Sequence, residues 1–349
     1  IMDRICHWLR ELNLMTSKIA IIGNGNVGST IKKLLQNKYE LSVGDIDDGI
    51  DGHDINQVEK FLINHDAVIS AGPFSVNKNI ASVAAKKNIG YFDLTEDVST
   101  TEFVKSLKTD AVLMPQCGLA PGAINICASH LIDEFEEVDE VLMRVGALPK
   151  YTTNEMSYYL SWSTNGLINE YCNDADVIYE GKKRKVLPLE GMEKLMISGK
   201  SYEAFNTSGG CATMCDSYEG KVKFLSYKTI RYPGHLAHMK FLLNDLNLKK
   251  NKQTLEKLFD KEVPRTTNDV VIFFVKVIGK INGVLQEKTY CKKIEGQNGL
   301  NAIQLTTACG VCAVLELYLE KDLDIKGFCS QESISWDRFT SNSFGKIFL

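Results

Sequence analysis

Short apolar runs alternate with amphipathic stretches along the first third of the chain. The apolar residues 19–22 lead into three glycines, Gly23, Gly25 and Gly28, which are spaced as G-x-G-x-x-G in "IAIIGNGNVGST". The following residues place apolar side chains on one helical face: Val27, Ile31, Leu34 and Leu35. The pattern predicts a strand, a tight turn and a helix that starts at the third glycine.

The alternation continues as far as residue 118. "HDAVISAGP", "GYFDLTED" and "DAVLMPQCG" are typical of strands, whereas "NKNIASVAAKK" and "TEFVKSLK" are typical of helices. Strands that alternate with short helices predict a doubly wound parallel sheet, and ligands of such sheets bind beyond the carboxyl ends of the strands. The candidate residues at those ends are Ser70, Gly72, Asp93 and Cys117. A turn former, a helix cap or a buried thiol would explain each of them equally well.

The glycine spacing, together with its strand and helix, matches a dinucleotide-binding turn. Gly23 would make the tight turn, Gly25 would let the backbone approach a pyrophosphate, and Gly28 would permit close helix packing. A second strand, "YELSVGD", ends at Asp45, whose carboxylate could accept a hydrogen bond from a ribose 2′-OH and would repel a 2′-phosphate. We therefore expect NAD as the cofactor. The predicted cofactor-binding residues are Gly23, Asn24, Gly25, Asn26, Val27, Gly28, Asp45, Ser70 and Gly72.

The pattern changes after the Gly/Pro-rich turn in "MPQCGLAPGAINICASHL". Longer strands follow, and "DVVIFFVKVIGKINGVLQEKTYCKKI" predicts a hairpin that turns at Asn282 and Gly283. The late stretch "LTTACGVCAVLELYLEK" is helical in pattern and is expected to return to the first domain. The predicted fold class is α/β: a Rossmann-type doubly wound parallel sheet, over 15–125 and about 300–349, plus an inserted α+β domain with a mixed, antiparallel-rich sheet over 126–299.

Composition excludes several classes of partner. The net charge is −4 over 349 residues, so the chain lacks the excess of positive charge that is typical of proteins that bind nucleic acid or an anionic membrane. No apolar stretch approaches the roughly 20 residues of a membrane helix, and the charged residues before Met15 do not resemble a signal-peptide core. We expect a cytoplasmic protein, and we assign no function to the residues before Met15.

The 10 cysteines lie mostly in apolar runs, as buried and reduced cysteines do, so a disulfide framework is not expected. Cys309 and Cys312 form a C-x-x-C pair, but Cys211 and Cys215 are spaced as C-x-x-x-C and do not supply the second pair of a zinc site. No metal is expected.

Five segments spread along the chain carry a resemblance to a known family. "MPQCGLAPG", "LSWSTNGLINEY", "YEAFNTSGG", "YKTIRYPGH" and "GFCSQESISWDRFTSNSFG" resemble the saccharopine dehydrogenase family, and within it the lysine 6-dehydrogenase branch. The resemblance implies a discontinuous Rossmann domain and an inserted domain for substrate and dimerisation. It also implies a homo-oligomer with a small amino-acid substrate: L-lysine would be oxidised with NAD at its ε-amino carbon, giving ammonia and allysine, which cyclises to piperideine-6-carboxylate.

Such chemistry needs a base, because a protonated amine has no lone pair to assist hydride loss. The candidates are His235 and Asp93, with Glu96 and His238 as weaker ones. Arg231 is the candidate partner of the substrate α-carboxylate. The other predicted substrate-binding residues are Cys117, Trp162, Ser163, Asn206 and Thr207. A surface charge at 231 and a turn residue at 235 are the structural alternatives.

The chain departs from the family pattern at "FNTSGGCATMC", where an aromatic residue and a Gly-Leu pair are expected. This loop would affect the identity of the substrate more than the type of reaction. Saccharopine or a carboxylated polyamine is therefore an alternative substrate. A Rossmann protein that senses a dinucleotide without turnover is an alternative function.

Overall fold

The computed structural model describes residues 17–323 and 325–349. The predicted domain start at residue 15 and the segment before it lie outside the described residues. The described chain divides into two compact units. Unit 1 contains residues 17–123, 306–323 and 325–349, and unit 2 is Ile124–Leu305.

The elements alternate in unit 1 and are dominated by strands in unit 2. The strands are β1 (Lys18–Ile22), β2 (Glu40–Gly44), β3 (Ala67–Ser70), β4 (Gly90–Asp93), β5 (Val112–Met114), β6 (Glu137–Pro149), β7 (Ala175–Tyr179), β8 (Lys182–Val186), β9 (Glu193–Ile197), β10 (Lys200–Asn206), β11 (Val222–Arg231), β12 (Asp269–Ile281), β13 (Val284–Glu295) and β14 (Gly327–Phe328).

The helices connect and cover these strands. The α-helices are α1 (Asn26–Leu35), α2 (Ile55–Phe61), α3 (Phe74–Lys87), α4 (Val98–Ser106), α5 (Ala123–Ile132), α6 (Thr164–Cys172), α7 (Met214–Tyr218), α8 (His235–Lys240), α9 (Lys252–Glu262), α10 (Ala302–Leu319) and α11 (Trp336–Ser341). A short π-helix, Phe241–Asp245, follows α8.

Unit 1 is built on a six-stranded sheet in the order β14-β5-β4-β3-β1-β2, and every pair in it is parallel. The first crossover goes from β1 to β2 on one side, and the chain then returns to β3 on the other side. The carboxyl end of β1 is therefore a topological switch point, where open α/β sheets bind ligands. The core of this unit packs apolar residues of β1, β3 and α3, among them Ala20, Val68 and Ile80.

Unit 2 is built on an eight-stranded mixed sheet with the main order β13-β12-β6-β11-β10-β9; β7 pairs with β11 and β8. β6 and β11 are parallel, and the other pairs are antiparallel. The hairpin between β12 and β13 turns at Asn282 (φ 52°) and Gly283 (φ 74°), as predicted. A Rossmann-type parallel sheet plus a mixed, antiparallel-rich sheet confirms the predicted fold class.

Helix α10 comes closer to a membrane span in composition than the sequence pattern suggested. It has 18 residues and a mean hydropathy of 1.6, but 72% of it is buried inside the protein. Cys309 and Cys312 lie within this helix at 5% and 0% exposure, which agrees with the expectation that they are small buried residues. Among the described cysteines, Cys291 is exposed and the others are buried and unbridged.

Candidate functional site

The three glycines of the turn after β1 have different surroundings, so each is needed for a different reason. Gly23 has φ +104°, and a Cβ added there would lie 2.5 Å from the Gly72 backbone nitrogen. A Cβ at Gly28 would lie 1.9 Å from the Gly23 carbonyl oxygen, whereas one at Gly25 would meet nothing within 4 Å. Gly23 and Gly28 are therefore fixed by internal packing. Gly25 leaves an open backbone surface of the kind that a pyrophosphate can approach.

The N-terminus of α1 faces outward next to this surface. Gly25 is the N-cap and carries no capping side chain, and the first turn of the helix has no acidic residue. Asn24, Gly25 and Asn26 are exposed, and Val27 is half-buried. The backbone amides and the helix dipole at this end suit a bound anion.

Asp45 lies directly after β2 and holds the glycine turn. Its Oδ2 accepts a hydrogen bond from the Asn24 backbone N–H at 2.6 Å, and its Oδ1 accepts from Asp47 N–H at 3.3 Å. These backbone bonds, with that of Asn24 the strongest, hold the pKa of Asp45 below its usual value. The carboxylate is thus ionised beside the turn.

Asp93 ends β4 and is fully buried. Its Oδ1 accepts from the backbone N–H groups of Thr95 and Gln116, each at 2.9 Å. Its Oδ2 accepts from Tyr91 Oη at 2.6 Å and from Asn77 Nδ2 at 3.3 Å. Burial raises the pKa of Asp93 to about 6, although these hydrogen bonds oppose the rise. Four internal donors make Asp93 an organiser of the strand ends. Its predicted catalytic role stays a prediction.

The neighbouring candidates in unit 1 also have internal partners. Ser70 Oγ donates to Asn77 Oδ1 at 2.7 Å, which joins Ser70 to the Asp93 network. Cys117 Sγ donates to Met114 O at 2.9 Å, and burial raises the pKa of this thiol well above its usual value. Gln331 Nε2 donates to Pro115 O at 2.8 Å and lies 3.8 Å from the Cys117 sulfur. Sequence reasoning missed Asn77 and Gln331, because their roles arise from contacts across the unit.

Arg231 is the last residue of β11 and is only 2% exposed. Its Nε donates to Tyr171 Oη at 2.8 Å, and its Nη1 donates to the Ile230 carbonyl at 2.9 Å. The guanidinium lies 5.2 Å from the Tyr158 ring centroid and 5.8 Å from that of Tyr171, as cation–π contacts do. Within the described part of the chain, no carboxylate is at ion-pair distance and Nη2 makes no hydrogen bond. The interpretation of Arg231 as a surface charge is wrong.

His235, the first residue of α8, is 0% exposed. The hydroxyl of Tyr171 connects it to Arg231. Its Nδ1 is 3.0 Å from the Met156 carbonyl, so Nδ1 carries the proton, and its Nε2 accepts from Tyr171 Oη at 3.0 Å. Burial and the Arg231 charge lower the pKa of His235 to about 3. The imidazole is therefore neutral, and both nitrogens are engaged. Its predicted role as the base stays a prediction.

A buried glutamate fixes the turn that carries His235. Glu203 of β10 accepts from Gly234 N–H at 3.0 Å and from Leu236 N–H at 2.6 Å. Gly234 has φ +98°, which favours glycine at this position. The exposed His238, a weaker candidate base, lies with Nδ1 2.8 Å from the Gly234 carbonyl.

Glu170 on α6 is a candidate that sequence reasoning missed. It is 7% exposed, and in the described residues its carboxylate makes no hydrogen bond or ion pair. Burial raises its pKa to about 7, and the nearby charge of Arg231 opposes this rise. A glutamate next to the apolar helical positions of "LINEYC" was the available signal.

Trp162 and Ser163 directly precede α6, and their side chains have different partners. Trp162 Nε1 donates to Tyr158 Oη at 3.2 Å, which connects the indole to the aromatic surface over Arg231. Ser163 is exposed and caps α6 by accepting from Gly166 N–H at 3.2 Å. Trp162 is thus connected to Arg231 through Tyr158, whereas Ser163 acts as the N-cap of α6.

Asn206 ends β10 and Thr207 follows it, and both have structural partners as well. Asn206 Nδ2 donates to Leu187 O at 3.4 Å, and Thr207 Oγ1 lies 2.7 Å from Thr229 Oγ1 on β11. Their predicted substrate contacts stay predictions. No cluster of three or more residues suited to a metal ion occurs in the described part of the chain.

A glycine turn with open space at Gly25 on a parallel sheet, together with a buried arginine in a mixed-sheet unit, defines a Rossmann-type two-unit protein. Residues 118–344 match the family described as saccharopine dehydrogenase C-terminal domain. This match covers more than half of the chain, and the chain belongs to that family.

Two curated yeast proteins are similar in sequence, and both are named saccharopine dehydrogenase [NADP(+), L-glutamate-forming]. The Saccharomyces cerevisiae protein is 26% identical and the Schizosaccharomyces pombe protein 25% identical, each over 168 residues. Each alignment covers 44% of this chain but 35% of the relative, so the chain spans about a third of the length of the relatives it matches.

Solved structures share the fold. Apo saccharopine dehydrogenase (L-Glu forming) from Saccharomyces cerevisiae superposes with a TM-score of 0.75 at 15% identity, over 93% of this chain and 96% of that one. Homospermidine synthase from Legionella pneumophila, solved with NAD, gives 0.63 at 12% identity, over 95% and 90%.

Proposed function

We propose that this protein is a nicotinamide-dinucleotide-dependent dehydrogenase that oxidises an amine carbon of an amino acid. The more specific hypothesis is oxidative deamination of L-lysine at its ε-amino group, which gives allysine and ammonia. The observation that carries the proposal is the buried Arg231 guanidinium, which has no carboxylate partner among the described residues and keeps donors for a ligand. A planar guanidinium matches a carboxylate in charge and in geometry.

The glycine turn fits the dinucleotide. Gly25 leaves room for the pyrophosphate beside the N-terminus of α1, while Gly23 is packed against the Gly72 backbone and Gly28 against the Gly23 carbonyl. When bound, the nicotinamide ring would accept the hydride from the carbon that bears the amine. The full reaction consumes lysine, oxidised dinucleotide and water, and it yields the aldehyde, ammonium, reduced dinucleotide and one proton.

The residues of this chain would bind and orient the substrate. Arg231 would hold the α-carboxylate, and Tyr171 would fix the guanidinium through the 2.8 Å bond to Nε. Tyr158 and Trp162 would lie along the alkyl chain. His235 and Asp93 stay the hypotheses for the proton acceptor. The lowered pKa of His235 and its two occupied nitrogens favour a role in which it orients Tyr171.

A substrate panel tests the proposal. L-lysine, saccharopine, ornithine and diamines are each supplied with NAD and NADP, and formation of the reduced cofactor is followed by absorbance. Lysine turnover supports the specific hypothesis. Saccharopine is the second candidate, because both curated relatives are named for it. Dinucleotide binding without turnover of any amine would contradict the proposal and favour the sensor.

We propose NAD rather than NADP as the cofactor, and the support is the ionised Asp45 carboxylate beside the turn. A 2′-phosphate next to it would add like-charge repulsion to a lost hydrogen bond. Asp45→Ser should narrow the preference for NAD in kcat/KM by about tenfold, the scale of one charge-assisted hydrogen bond.

Asp48→Ser is the matched control, because Asp48 is exposed in the same segment and follows Asp45 by three residues. This control should keep the preference of the unchanged protein. Equal use of the two cofactors by the unchanged protein would refute the role of Asp45.

A further inference from the structure

The glycine turn after β1 contains an asparagine that is followed directly by glycine, Asn24-Gly25. Both residues are exposed. Among residues 17–323 and 325–349, neither the Asn24 side chain nor the Gly25 backbone N–H makes a hydrogen bond. A Cβ added at Gly25 would meet nothing within 4 Å. The Asn24 side chain can therefore approach the next backbone nitrogen without breaking a contact or meeting a neighbour.

An asparagine with this freedom reacts with its own backbone. The Gly25 nitrogen gives up its proton and bonds to the side-chain carbonyl carbon of Asn24, ammonia leaves, and a succinimide ring results. Water then opens the ring to aspartate or to isoaspartate. The net reaction consumes water and releases ammonia, so it needs no oxidant. The positive end of the α1 dipole favours the transient negative charge on this nitrogen.

The sequence contains three other Asn-Gly pairs, and hydrogen bonds restrain two of them. Gly283 N–H donates to Glu136 Oε2 at 3.1 Å in the hairpin between β12 and β13. Gly166 N–H donates to Ser163 Oγ at 3.2 Å, and its pair lies within helix α6. Neither nitrogen can attack until its hydrogen bond is broken, which slows the reaction.

The fourth pair, Asn298-Gly299, provides a reference that is not part of the glycine turn. It is exposed in a tight turn of unit 2, which is closed by Leu300 N–H on the Gln297 carbonyl at 2.9 Å. Gly299 N–H has no hydrogen bond in the part of the chain that the structure describes. Its nitrogen is thus as free to react as that of Gly25.

The products of the reaction would alter the surface at which a pyrophosphate can approach. An aspartate at position 24 puts a second carboxylate next to the ionised Asp45, and this charge would repel the pyrophosphate. An isoaspartate adds one carbon to the backbone of a turn in which Gly23 and Gly28 are packed against other backbone atoms. Either product weakens the turn as an anion site.

We propose that Asn24-Gly25 is a site of spontaneous deamidation that weakens dinucleotide binding, and that a bound dinucleotide protects the turn from it. The modification itself is independent of the proposed function. Its consequence and the protection rest on the dinucleotide binding that is part of that function. The protein would then lose its cofactor site with time only while the site is empty.

The rate of deamidation at each pair tests the modification site. The full chain is incubated at mildly alkaline pH and digested, and mass spectrometry follows the exchange of the side-chain amide for a carboxyl group. Asn24 should react about tenfold or more faster than Asn282, the scale of one hydrogen bond to a charged group. NAD or NADP at ten times its dissociation constant should slow Asn24 by about tenfold, because only the free turn reacts. Asn298 should keep its rate.

The effect on binding is measured with a variant that carries the charge of the product. Asn24→Asp should raise the dinucleotide dissociation constant about tenfold or more in calorimetry, because like charges a few ångströms apart repel on that scale. Asn282→Asp is the matched control, since it adds the same charge at the hairpin, and it should leave the dissociation constant unchanged. If Asn24→Asp does not fold, deamidated protein separated by ion exchange replaces it.

Different results overturn different parts of the proposal. A rate at Asn24 no faster than that at Asn282 overturns the modification site. An equal rate with and without bound dinucleotide overturns the protection, and unchanged affinity of the deamidated protein overturns the consequence. If the unchanged protein bound neither NAD nor NADP, the proposed function and the protection would both be refuted, whereas fast deamidation at Asn24 would still support the modification site.

Discussion

Arg144 and Arg231 lie on the adjacent parallel strands β6 and β11, and their exposures are 1% and 2%. The partners of Arg144 belong to the chain itself. Two of its nitrogens donate to the Glu193 carboxylate, and Nη1 donates to Met143 O at 2.9 Å and to Ser226 O at 2.8 Å. Arg231 bonds one tyrosine hydroxyl and one backbone carbonyl. A buried charge normally has a close partner of opposite charge, so the lack of a carboxylate at ion-pair distance from Arg231 among the described residues supports the proposed ligand carboxylate there.

The carboxylates near the two arginines differ in the same way. Burial acts to raise the pKa of Glu193, but the hydrogen bonds and charges of Arg144 and Lys228 outweigh it, so its pKa is lowered. For Glu170 burial prevails and its pKa rises to about 7. The surroundings of Arg144 are electrostatically complete, and those of Arg231 and Glu170 are not.

The largest expected effect is the loss of substrate recognition in Arg231→Ala. The kcat/KM for lysine should fall by about 10²-fold or more, because a charge-assisted bidentate contact is worth about 3 kcal/mol. Arg231→Lys should recover only part of this loss, since an ammonium lacks the planar fork. Steady-state kinetics and dinucleotide dissociation constants are the measurements, and dinucleotide binding should not change.

Arg144→Lys sharpens the contrast as a control. Breaking the pair with Glu193 should lower the free energy of unfolding by a few kcal/mol, because a buried charge loses its partners. The KM for lysine in the folded fraction should stay the same. If Arg231→Ala retained full kcat/KM, the distinction between the two arginines would have no functional meaning. Asp93 would then become the candidate residue around which the substrate site is organised.

The parts of the fold that depend on local pattern could be predicted from the sequence. Residues 19–28 specify a strand, a turn and a helix through apolar spacing and glycine, and Asn282-Gly283 specifies a hairpin through positive φ. The apolar composition of α10 was visible, but its burial was not, because burial depends on what surrounds the helix.

The candidate site was less predictable because its contacts join distant segments. Arg231 and His235 were chosen for their chemistry, but Tyr171, 60 residues from Arg231, determines how both are held. Glu170 was missed because a glutamate in a helix normally faces water. Ser163 was predicted to bind substrate, although a serine directly before a helix is most simply explained as an N-cap. In the structure its side chain caps α6 by accepting from Gly166 N–H.

The second expected effect concerns acid stability around Arg231. Unfolded His235 takes up a proton below its ordinary pKa of 6.5, but in the fold its pKa is about 3. Between these values the unfolded state binds more protons, so stability falls as the pH is lowered from 6.5 towards 3. The loss from His235 alone should be about 1.5 kcal/mol between pH 6.5 and pH 5.

Urea unfolding at several pH values, compared with His235→Asn, isolates this contribution. The asparagine keeps a donor for the Met156 carbonyl but does not titrate in this range. The variant should therefore show a smaller loss of stability on acidification. Identical pH dependence in both proteins would mean that His235 is already protonated or accessible in the fold, and its assignment as a neutral positioning residue would be wrong.

The smallest expected effect is that of Tyr171→Phe, which removes the hydroxyl between Arg231 Nε and His235 Nε2. The guanidinium would keep its charge and its bond to the Ile230 carbonyl but lose one fixed point. The KM for lysine should rise about fivefold while kcat changes less than twofold, because the loss of one hydrogen bond costs about 1 kcal/mol. Tyr232→Phe is the control at the neighbouring position: it loses a single hydrogen bond, to the Pro149 carbonyl at 2.8 Å, and should keep the KM unchanged. A fall in kcat with no change in KM would instead place Tyr171 in the chemical step. The hydrogen bond from Arg231 to Tyr171 would then not explain how Arg231 binds the substrate.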